Sequence, residues 1–130
     1  MEISSKELKI GNYMMAGSLL TQVTTINRNN FIVTELETSD GEFNYNSDQC
    51  NINPVILTEE WLIKFGFEKR EVYMLGVKYD GWLNFSFHLD INHIKNTYFY
   101  HWMGGNIEVK HVHQLQNLYF ALTGEELTVK

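Results

Sequence analysis

IEVKHVHQLQNLYFALTGEEL, running from Ile107 to Leu127, changes period part-way along its length. Its first residues alternate as a strand does. From Val112 onward, Val112, Leu115, Leu118, Tyr119 and Leu122 recur at steps of three and four, which puts them on one face of a helix. Gly124 stands where a helix C-terminus favours a left-handed residue. The spacing therefore predicts a helix over 111–124 that closes a sheet with its apolar face. The stretch carries no pattern that demands chemistry.

Upstream of it, the chain reads as hairpins over 67–110. Val72 to Tyr79 and Trp82 to Leu89 flank Asp80-Gly81, a pair whose backbone preferences suit a two-residue turn. Leu83, Phe85, Phe87 and Leu89 then share one face. Asp90 to Asn96 is expected to connect to a strand from Thr97 to Met103. Gly104-Gly105-Asn106 forms the next turn and Ile107 to Lys110 the partner strand. An internal helix is expected over 58–66. Thr58 can cap it, Glu59 and Glu60 suit the positive end of its dipole, Leu57 and Leu62 have staple spacing, and Gly66 suits C′.

The N-terminal β region, 1–57, supplies three strands: Leu8 to Met15, Ser18 to Asn27 and Phe31 to Thr38. Asn29-Asn30 and Ser39-Asp40-Gly41-Glu42 form the turns between and after them. Asn44 to Asn53 has no period and reads as a loop closed by Pro54. The fold class predicted is α+β in a single domain, 1–130. Its antiparallel sheets include an SH3-like half-barrel and β-hairpins, with one internal and one C-terminal helix.

Composition narrows function mainly by exclusion. With 130 residues, a hydrophobic fraction of 44% and a net charge of −6, the chain can build one core without staples and disfavours phosphate backbones. No direct nucleic-acid binding is expected. No apolar run approaches the roughly 18–20 residues of a membrane span, and the N-terminus lacks a signal-peptide core, so no membrane association and a cytoplasmic location are expected. Cys50 is the single cysteine and sits among Asp48, Gln49 and Asn51, an acidic setting that opposes thiolate formation. His111 and His113, with His88, His93 and His101, lack the spacing of a zinc motif. No catalytic residue, metal or cofactor is expected.

Two patterns point instead to binding. From Asn29 to Ile63 there is no Lys or Arg, against seven acidic residues: Glu35, Glu37, Asp40, Glu42, Asp48, Glu59 and Glu60. Such a surface would steer association with a basic protein. In NTYFYHWM, Tyr98, Tyr100 and Trp102 alternate onto one strand face, where they pack a core or anchor a partner. Glu35, Glu37, Asp40, Glu42, Tyr98, Tyr100 and Trp102 are therefore the candidate partner-binding residues.

Three stretches, ELKIGNYM (7–14), NPVILTEEWLIKFGFEK (53–69) and VHQLQNLYFALTGEEL (112–127), together resemble a group of small proteins encoded in phages and prophages of Bacteroidetes-type bacteria. The resemblance spans about half the chain and leaves 71–106 unmatched. It implies a non-enzymatic accessory protein that binds a host protein in the bacterial cytoplasm. An anti-CRISPR-like inhibitor engaging the basic surface of a defence nuclease is the specific form expected. The alternative is a structural or housekeeping phage domain that self-associates.

Overall fold

The computed structural model describes residues 5–36, 43–84, 87–92, 95–102 and 105–129, with the backbone alone described at 72, 74, 77–79 and 102. It is α+β, with two antiparallel five-stranded sheets and two helices. Contacts group the chain into two compact units, Met1–Ile56 with His111–Leu118 and Leu57–Lys110 with Tyr119–Lys130.

The first unit holds β1 (Tyr13–Ala16), β2 (Leu19–Ile26), β3 (Phe31–Glu35), β4 (Asn44–Asn46) and β5 (Ile52–Pro54) in the order β4-β3-β2-β1-β5. The sheet is strongly curled, a half-barrel. A register shift between Val23 and Thr25 adds local twist. Leu8, Met14, Ala16, Val23, Phe31, Val33 and Ile52 form its core, with Ile26 and Tyr45 packed against them. Removing a side chain such as Met14 from water contributes about 1.5–3 kcal/mol.

Two readings of this region are corrected. The strand expected from Leu8 begins only at Tyr13. Residues before it fold into a 3-10 turn, Ser5–Glu7, and a second turn in which Asn12 Oδ1 accepts from the Lys9 N–H at 2.8 Å. An Asn side chain that satisfies local backbone competes with strand pairing. The Asn-rich segment expected as loop supplies β4 and β5. Asn44 and Asn46 pair with Thr34 and Ile32, and Thr34 Oγ1 donates to Asn44 Oδ1 at 2.7 Å. Polar ladders on an edge strand leave no apolar period to read. Pro54 pairs with Met14 on the edge strand β5, the part of a sheet where a missing N–H is best tolerated.

The second unit contains α1 (Glu59–Lys64) and a meander of β6 (Glu68–Met74), β7 (Val77–Asn84), β8 (Phe87–Asn92), β9 (Thr97–Trp102) and β10 (Gly105–Val109). Leu57 and Leu62 are both buried, as a staple requires. The C-terminus of α1 is a Schellman motif: Gly66 N–H donates to Ile63 O at 3.0 Å and Phe67 N–H to Leu62 O at 2.9 Å. Buried Asn84 donates to the Phe65 carbonyl at 3.1 Å, satisfying another helix-end acceptor. Thr58 occupies the N-cap with extended angles, but its side chain makes no capping hydrogen bond. The start of α1 is held instead by buried Leu57, whose N–H donates to Lys110 O at 2.9 Å.

The largest correction concerns Asp80-Gly81. The chain does not turn there; both residues lie within β7, paired with Glu71 and Arg70. Met74 pairs with Val77, so the turn is Leu75-Gly76, and the next reversal falls between the paired Asn84 and Phe87. Phe87 and Leu89 are buried on β8, whereas Leu83 on β7 is only half-buried and Phe85 lies outside the described residues. Gly81 serves a different end. A Cβ there would collide with the His88 imidazole and lie 2.7 Å from the Leu89 carbonyl. Gly81→Ala is expected to cost about 1–3 kcal/mol by overpacking. Urea denaturation would read it, and adding His88→Ala should recover only part, since the carbonyl stays in place.

Helix α2 (Val112–Thr123) ends at Gly124, whose φ is +76° and whose N–H donates to Phe120 O at 2.8 Å. Val112, Leu115 and Tyr119 are buried as expected, while Leu122 is exposed. His113 and Gln116 are buried instead.

Candidate functional site

Among the acidic residues, Glu35 ends β3 half-buried and accepts a hydrogen bond from Tyr45 Oη at 3.1 Å. Burial, and then that bond to a carboxylate, raises the Tyr45 phenol above its ordinary value. Asp48 accepts from Asn30 Nδ2 at 2.7 Å. Glu59 lies 3.9 Å from Lys69, an exposed pair that contributes little to stability. Glu37, Asp40 and Glu42 lie outside the described residues. Glu35 and Asp48 belong to the first unit, Glu59 and Glu60 to the second.

The aromatic strand alternates as read. Tyr98 is buried, and burial followed by the charge of Glu59 raises its hydroxyl pKa. Tyr100 stacks on Phe87 with ring centroids 4.9 Å apart. Both residues therefore pack the inner face of the second sheet rather than stand free as anchors. Trp102 ends β9, and its side chain lies outside the described set. Cys50 is exposed and unpaired with any other cysteine.

The outer face of the same sheet shows what the sequence hid. Asp90 pairs with Gly81 on β7 and Phe99 on β9. Its half-sheltered carboxylate lies 2.9 Å from His101 Nε2 and 3.3 Å from His88 Nδ1. Phe99 meets the His101 ring edge-on at 5.1 Å. Two imidazoles thus share one carboxylate, which fixes their orientation and the nitrogen that each turns toward it. The vacancy above Gly81 is what admits the His88 ring. His93 lies outside the described residues. Among the described residues, no three or more His, Cys, Asp or Glu side chains are arranged to hold a metal ion.

A second feature stands at the β6–β7 turn. Leu75 and Gly76 have φ of +53° and +78°, the two left-handed positions of a type I′ turn. Asn, Asp and Gly favour that conformation, whereas a branched apolar residue pays about 1–2 kcal/mol to adopt it. The Leu75 side chain is nonetheless 102% exposed, and Tyr73 two residues earlier is 69% exposed. Neither turn chemistry nor core packing accounts for a leucine here. Lys69 and Arg70, also exposed, lie further down β6. Sequence reading missed this tip because Asp80-Gly81 took the turn assignment.

No helix among the described residues is long and apolar enough to cross a membrane. No family model, curated protein or solved structure matches the chain.

Proposed function

We propose that this is a non-enzymatic binding protein that presents the Tyr73–Leu75 hairpin tip to another protein. The observation that carries the reading is Leu75. It is strained, fully exposed and apolar at a position where Asn or Gly would be more stable and more soluble. Strain retained at an exposed site is accounted for when a partner uses the side chain. Tyr73, exposed on the same turn of chain, is of the type that anchors protein interfaces.

The resemblance to small phage and prophage proteins supports a host protein as that partner. The acidic run from Glu35 to Glu60 supports a partner with a basic surface, such as a defence nuclease that holds nucleic acid. Capture of a nuclease that fades as salt rises is the result expected of that form.

Leu75→Asn separates binding from folding. It should raise stability by about 1 kcal/mol, because Asn tolerates the left-handed turn. It should also abolish capture of the partner retained by the tagged wild-type protein. Tyr73→Ser should weaken capture while changing stability by less than about 0.5 kcal/mol. Equal capture by wild type and both variants would remove the hairpin tip from the proposal.

A further inference from the structure

His113, the second residue of α2, is 1% exposed, and its Nδ1 has no hydrogen-bond partner among the described residues. Its Nε2 lies 3.4 Å from Glu7 Oε1, the terminal residue of the 3-10 turn. His111 stacks on it nearly parallel, ring centroids 5.7 Å apart. Burial disfavours the charged form of this imidazole, and the half-exposed Glu7 carboxylate offsets only part of that cost. The positive end of the α2 dipole also opposes a cation there.

What His113 touches is held by side-chain amides rather than by an apolar seal. Asn117 Nδ2 donates to Glu7 O at 2.9 Å, and Gln116 Nε2 donates to Gly11 O at 3.0 Å. Gln116 Oε1 accepts from the Tyr13 N–H at 2.9 Å, and Asn12 Nδ2 donates to Asn117 Oδ1 at 2.9 Å. Residues 5–13 are thus strapped across the first turns of α2 by exchangeable polar bonds. Such bonds contribute little net stability once water can replace them.

We propose that His113 is an acid-sensitive latch: its protonation releases the segment 5–13 from α2, uncovering the Gln116 and Asn117 amides. Two titratable groups act on the ring, Glu7 from the 3-10 turn and His111 beside it. Burial lowers the His113 pKa below 6.5; Glu7 pulls it upward and His111 pushes it further down. The released form, with a solvated imidazole, takes its proton near pH 6.5. The latch is therefore fully closed above that pH and loosens as pH falls through 6.5 toward the depressed latched value. The reading does not depend on the hairpin tip.

Native-state amide exchange of the full chain, followed by NMR at pH 7.5 and 5.5, tests it. After correction for intrinsic rates, the Tyr13 amide, whose acceptor on α2 is Gln116 Oε1, should lose protection relative to the Val33 amide in β3. The ceiling at pH 5.5 is about tenfold for one site with an unlatched pKa near 6.5. His113→Gln should abolish the loss. Glu7→Gln should deepen it, because the one group that favours the cation in the latched state is gone. This second variant keeps the test open if His113→Gln does not fold. An unchanged protection ratio in wild type, the same loss in His113→Gln, or a shallower loss in Glu7→Gln would each overturn the latch. A His113 that titrates in place while the ratio holds would show instead a solvated ring bridged to Glu7.

Discussion

Phe87→Ala is expected to remove about 3–5 kcal/mol of stability, the range for deleting a buried ring. Phe87 is 3% exposed and is the ring that three others in the second unit meet. Phe67 approaches it edge-on at 6.1 Å, Tyr100 stacks at 4.9 Å and Tyr119 tilts against it at 5.3 Å. One truncation therefore opens a void between a residue just past α1, a strand and the far half of α2. A domain whose whole stability lies at about 5–15 kcal/mol would be left marginal. Urea unfolding would read the change, with Phe120→Ala, at an exposed position of the same helix, as the comparison near zero. A loss below about 1.5 kcal/mol would mean that the neighbouring rings collapse into the space.

The second large effect belongs to Gln116. Its carboxamide is 3% exposed and works in both directions, donating to Gly11 O and accepting from the Tyr13 N–H. Gln116→Leu keeps the bulk and removes both functions. The Gly11 carbonyl keeps the Gln22 Nε2 donor at 3.1 Å, but the Tyr13 N–H loses this acceptor. Losing these two part-buried bonds costs about 1–3 kcal/mol. The loss should appear in denaturation midpoint with the slope unchanged, since the same surface is exposed on unfolding. A stabilised variant would show that the amide straps serve specificity rather than stability.

How legible these features were depended on whether their causes are local. Both helices could be read because their stop signals, Gly66 and Gly124, are local backbone requirements that the structure meets with positive φ. The Leu57–Leu62 staple was legible for the same reason. Asp80-Gly81 misled because turn preference is weaker than the packing that assigns Gly81 to the space under His88. The Asp90 cluster could not be read at all. His101 is eleven residues from Asp90 in sequence, and only the β8–β9 register brings them together. Gln116 broke the apolar pattern of α2 because it meets the Tyr13 N–H and the Gly11 carbonyl, and His113 because it faces the Glu7 carboxylate. The candidate anchors Tyr98 and Tyr100 were legible as one face, which the sequence left open between packing a core and anchoring a partner. The burial of Tyr98 and the stacking of Tyr100 on Phe87 put them in packed surroundings.

The division of the chain has a kinetic consequence. The first unit needs residues His111–Leu118, which follow the whole of Leu57–Lys110 in synthesis. The Asn12–Gln116 contact spans a sequence separation of 104. A ribosome therefore releases most of the second unit's strands before the first unit can complete itself. The half-barrel must wait for its Gln116 and Asn117 contacts, and closing so long a loop slows the final step. Refolding should accordingly show the second sheet gaining protection before Tyr13 does. A nascent chain halted short of His111 would leave the N-terminal strands without their last partner.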